Sequence, residues 1–152
     1  MMRRALGILA ALSMSVGAAA AQALQHVVSV DGSCQRLVIE GRSLAGNCGV
    51  TVLQTIYADG RTGFYISAAD GSRVFAFSGF EQSVSGQTEV TQKLDKVILS
   101  GEPATSIPVT GTCTYGNPYA GPMTILCDAQ DTSRQRYQLE FVTDGSEPEI
   151  LQ

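Results

Sequence analysis

Between residues 134 and 141 the chain alternates strictly, with Gln135, Tyr137, Leu139 and Phe141 on one face and Arg134, Arg136, Gln138 and Glu140 on the other. A period of two belongs to an extended strand with one face in the core and the other in water. The same period places Phe64 with Ile66 and Phe75 with Phe77. The chain has no tryptophan, so these phenylalanines and Tyr137 are the large side chains expected inside.

The tightest hairpin signals are the Asp-Gly dipeptides at Asp31-Gly32, Asp59-Gly60 and Asp70-Gly71, each between residues of high β-propensity. Such a pair readily takes positive φ at both centres of a tight hairpin turn. The turns predict a meander in which 26–30 pairs with 34–39, 51–57 with 63–67, and 63–67 with 73–78. From 88 to 99, Val90, Leu94, Val97 and Ile98 fit helical spacing, with Thr88 as N-cap and Gly101 as stop. The apolar run KVILS in the same stretch reads equally as a buried strand, which is the reading adopted. The polar segment 81–87 is expected to be a loop, and 146–152, with Glu147, Pro148 and Glu149, a flexible acidic tail.

These elements predict an all-β fold: an antiparallel meander of about 8–10 short strands with at most one short helix. Consecutive hairpins favour a small closed barrel, which leaves no exposed edge, over a two-sheet sandwich.

The amino terminus has a different pattern. MMRR is followed by an uncharged, small-residue stretch from Ala5 to Ala20 and by two A-x-A sites, with cleavage expected before Gln22 or before Leu24. The apolar run falls short of the roughly 20 residues a membrane-spanning helix needs. Residues 1–23 therefore read as a cleaved signal peptide and 24–145 as one β domain, exported to the periplasm or the medium, with no membrane span in the mature form. Loss of Arg3 and Arg4 with the leader leaves eight cations against fourteen acids, a net charge of −6. That balance disfavours nucleic acid as a partner.

Export brings an oxidising compartment, and the four cysteines are even in number. Cys34 and Cys48 lie fourteen residues apart, as do Cys113 and Cys127. Of the three connectivities, pairing within each set is preferred because each brackets a hairpin, and each closure contributes about 3 kcal/mol in the chain-entropy model. The C-x2-4-C pairs of structural zinc are absent, so no metal is expected. Cys113 and Cys127 each share a phase with apolar residues and are expected on the core side. Cys34 is out of phase with Leu37 and Ile39, which predicts a bridge on the outer surface or near a strand end.

Chemistry is sparse. Nucleophilic triads need a histidine, and the single one, His26, is expected at a strand end or in a mobile segment. No nucleophile-elbow, zinc-protease or phosphate-loop motif occurs, and no cofactor is implied. Glu40, Glu81, Glu89, Asp95 and Glu140 are candidates for carboxylate-dependent hydrolysis, but alternation places most of them in water. The most suggestive segment is TYGNPYAGPM, held between Cys113 and Cys127. There Tyr115, Asn117 and Tyr119, stiffened by Pro118 and Pro122, form a candidate binding loop that loses little entropy on binding.

The order C-x13-C, then GRTGFYIS with an Asp-Gly turn into VFAFSGF, then a second C-x13-C before YQLEFVTDG, resembles small exported bacterial β-proteins of uncharacterised function. The resemblance implies no activity. The expectation is a non-enzymatic binding module for a small molecule, a glycan or an envelope protein. The alternatives are a small carboxylate-dependent hydrolase or lyase, and a structural envelope protein without a ligand.

Overall fold

A computed structural model describes residues 23–44, 46, 48–85 and 89–152. The expected signal peptide, apart from Ala23, and Thr88 at the head of the helical alternative lie outside the described residues. Ten strands follow one another: β1 (Leu24–Ile39), β2 (Arg42–Ser43), β3 (Cys48–Tyr57), β4 (Arg61–Ala68), β5 (Val74–Ser85), β6 (Glu89–Leu99), β7 (Thr105–Gly116), β8 (Thr124–Gln130), β9 (Arg136–Thr143) and β10 (Glu149–Ile150). The one helical feature among the described residues is a 3-10 turn at Pro118–Ala120.

The strands pair antiparallel in the order β1-β3-β4-β5-β6-β7-β8-β9, and β9 pairs back with β1 to close an eight-strand barrel. The predicted barrel is therefore the fold, and the sandwich alternative falls. The hairpins through Asp59-Gly60 and Asp70-Gly71 form as expected, with φ of 85° at Gly60 and 71° at Gly71. The stretch with helical spacing is strand β6.

The Asp31-Gly32 turn does not form. β1 runs unbroken through it, so 26–30 and 34–39 are halves of one strand rather than a hairpin. The first half pairs with β3 on one edge, through Asp31 opposite Thr51. The second half pairs with β9 on the other, starting with Gly32 opposite Thr143. Glycine is required at this crossing for space: a Cβ on Gly32 would lie 2.1 Å from the Val142 carbonyl oxygen. Asp31 ties the crossing, its carbonyl accepting from the Asp144 N–H at 2.9 Å and its carboxylate from the Thr51 hydroxyl at 2.6 Å.

Two further expectations change. The segment 81–87 is not all loop, because β5 continues to Ser85 and pairs with β6. The acidic tail is not frayed: Pro148 is buried, Glu149 and Ile150 pair with Ser29 and Val28, and the Leu151 N–H donates to the Val27 carbonyl at 2.9 Å.

The inward faces meet in one core that includes Leu37, Phe64, Phe75, Phe77, Tyr137 and Phe141. Both preferred disulfides are present. Cys113 and Cys127 face each other across β7 and β8 and are fully buried. The Cys34–Cys48 bridge is half-buried at the head of β3, yet it packs against the core rather than on the outer surface. The reason is a bulge: Cys34 pairs with Phe141 and Arg36 with Glu140, leaving Gln35 as an extra residue. The inward phase passes from Val28, Val30 and Cys34 before the bulge to Leu37 and Ile39 after it.

Two outcomes follow from this packing. Gly32→Ala should lower the unfolding free energy by about 2–3 kcal/mol, because backbone occupies the space its methyl needs. Gly41→Ala, at a turn with φ of 75° and open space around it, should cost only about 1 kcal/mol from backbone strain. Urea denaturation of the two variants checks this, and equal losses would contradict it. On partial reduction of the native protein, the half-buried Cys34–Cys48 bridge should open first. Alkylation and mass spectrometry would contradict that if Cys113 and Cys127 were labelled before Cys34 and Cys48.

Candidate functional site

At the end of the barrel where β7 turns into β8, a cavity of about 360 Å³ opens. One wall comes from alternate residues of paired strands, His26 and Val28 on β1 and Gln54 and Ile56 on β3. Tyr115 stands across from them at the end of β7. Asn117, Pro118 and Tyr119 form the rim over it, and Ile150 on β10 completes the lining beside Val28. All three residues of the candidate binding loop thus border one cavity.

Their roles differ from one another. Tyr115 is not on an exposed loop tip. It is 5 % exposed and stands edge-on to Phe64, with ring centroids 4.9 Å apart. Asn117 shapes the loop: its Oδ1 accepts from the Tyr119 N–H at 2.9 Å, and Pro118 sets the first position of the 3-10 turn. Tyr119 projects, at 54 % exposure. The buried Cys113–Cys127 bridge sits two residues below Tyr115 and fixes the base of the loop.

Pattern reasoning missed the opposite wall. His26 lies at the start of β1, in register with Ile56, which is the strand-end position expected for it. Gln54 carried the available signal, since it is a polar residue in phase with inward-facing Val52 and Ile56. Among the described residues, the side chains of His26 and Gln54 make no hydrogen bond to protein. One inward layer below Tyr115, opposite Cys113, Gln92 is completely buried. Its Nε2 donates to the Thr62 carbonyl at 2.7 Å, while its Oε1 has no protein partner.

A cavity of about 390 Å³ at the other end is lined by Leu44, Phe75 and the β4–β5 turn. Its polar groups are already engaged: Asp70 accepts from the Ser72 N–H and hydroxyl, and Arg73 lies over the Phe75 ring. Size alone does not mark a site, and the mouth, where His26 and Gln54 are uncommitted, is the better candidate.

The candidate acids are dispersed. Glu40 is in the turn after β1, Glu89 opens β6, and Glu140 pairs with Arg36 at 4.0 Å; the Glu81 side chain lies outside the described residues. Asp95, the extra residue of a bulge in β6, makes a two-pronged bond to Arg61 at 2.7 and 2.8 Å. Arg61 lies over the Phe80 ring and also donates to Ser78. On the same outer wall, burial and the Tyr57 hydroxyl push the Tyr65 phenol up to about 12. Among the described residues, no three His, Cys, Asp or Glu side chains cluster closely enough to hold a metal, and no helix is long and apolar enough to cross a membrane.

Comparison with protein-family models, curated proteins and solved structures found no match. The resemblance drawn from the cysteine spacing therefore reaches only as far as two disulfides. Their presence points to an oxidising compartment.

The Arg61 guanidinium holds the Asp95 carboxyl below the ordinary aspartate range. A depressed folded value means that the stabilisation is complete above about pH 4 and is lost as the pH falls through the lower folded value. The carboxylate is 46 % exposed, so solvent screens the pair. Asp95→Asn should therefore cost about 1 kcal/mol or less at neutral pH. Urea titrations should show the difference from the parent shrinking below about pH 4; a gap that stays constant would contradict this assignment.

Proposed function

We propose that this protein is an exported binding module that holds a small molecule in the mouth of its barrel. The observation that carries this reading is the cavity of about 360 Å³, where an apolar wall meets the side chains of His26 and Gln54, which make no hydrogen bond among the described residues. A concave, mostly apolar site with a few convergent polar groups is the usual form of a small-molecule site. The frame around it is stiff, because β7 and β8 are joined beneath the rim by a buried disulfide. A rigid rim lowers the ordering cost of binding. A small molecule is favoured over a glycan or an envelope protein because the polar groups are few and lie within a concavity. Export is supported by the charged, alanine-rich leader and by the complete pairing of the cysteines.

The test uses the mature chain recovered from the periplasm or medium, with its amino terminus expected at Gln22 or Leu24 by mass spectrometry. In a thermal-shift screen, a true ligand at about 100 times its Kd stabilises by about 2.7 kcal/mol. Tyr119→Ala, at an exposed position on the rim, should remove most of that shift. A library without hits, or a hit unchanged in Tyr119→Ala, would overturn the assignment of the mouth.

A further inference from the structure

We infer that the mouth takes an uncharged molecule with an apolar body and a hydrogen-bonding group, and that it rejects ions. This rests on the binding reading above and adds the chemistry of the ligand. None of the nine lining residues is an Asp, Glu, Lys or Arg. An ion entering the cavity would shed water and, the His26 imidazole aside, would meet no ionisable base or carboxylate on the lining to offset that loss.

The apolar body is matched by Val28, Ile56, Pro118 and Ile150, and the two tyrosines offer ring faces or edges. The hydrogen-bonding group is matched by neutral amides. Gln54 carries both a donor and an acceptor, and Asn117 uses its Oδ1 in the turn while its Nδ2 remains outside that cap. A sugar fits less well, since most of its hydroxyls would face the apolar wall without partners.

N-phenylnaphthylamine, uncharged and fluorescent in apolar sites, reports occupancy of the mature protein. Octanol, octanoate and octylammonium then compete for it at about pH 8, where the acid and the amine are ionised. Octanol should displace the reporter at concentrations at least about tenfold lower than either ion. Tyr119→Ala should weaken reporter and octanol together. Ile150→Lys, at an exposed position that places a cation on the cavity wall, should bring octanoate to the level of octanol.

Ions that compete as well as octanol, with reporter binding still lost in Tyr119→Ala, would overturn the preference for uncharged ligands and leave the mouth reading standing. A reporter that fails to bind, or binds equally to the parent, Tyr119→Ala and Ile150→Lys, would overturn both.

Discussion

The fold depends on one strand that pairs along both of its edges. β1 carries β3 and then β2 on one edge, and β10 and then β9 on the other. Where partners change, the backbone of β9 comes so close that only a residue without a Cβ fits, and Gly32 stands there. Closure by β9 removes the open sheet edges that an eight-strand meander would otherwise expose. It also brings the start of β1 beside β10, which places His26, Val28 and Ile150 on one cavity wall. The candidate site is thus a by-product of how the barrel is sealed.

Much of this was readable from alternation. The β9 stripe, the phenylalanine pairs and two of the three Asp-Gly turns correspond to the structure because each rests on local geometry alone. The failures share a cause in features with no local signature. Asp31-Gly32 has the composition of a turn, yet its glycine answers to a strand more than a hundred residues away in the chain. The helical spacing of Val90, Leu94 and Val97 arises from bulged Asp95: Gln92 and Leu94 point inward before it, and Val97 and Leu99 after it. A period of two interrupted by one residue imitates a longer period. The same effect at Gln35 hid the inward phase of Cys34, although its bridge does lie at a strand end, the head of β3.

The candidate site was legible by half. The Tyr-Gly-Asn-Pro-Tyr segment was conspicuous because proline, glycine and a flanking cysteine mark a built loop. The facing wall was not, since His26 and Val28 are separated from Gln54 and Ile56 by the length of β1 and its turn, and only pairing register unites them. An inward glutamine in an apolar strand was the one clue. Tyr115 shows the limit of composition, because in-phase spacing from buried Cys113 assigns it to the interior even though its neighbours form the rim.

The covalent and non-covalent links of this barrel span very different distances along the chain. Each disulfide joins residues only 14 apart, so either can close as soon as its own short loop has emerged and met an oxidant. Sealing β1 against β9 joins Gly32 to Thr143, and so cannot begin until nearly the whole domain is available. Loop-closure entropy favours the short links first. A chain threaded through a membrane from its amino terminus would therefore carry its staples before its wall is complete, and the mouth would be its last part to take shape.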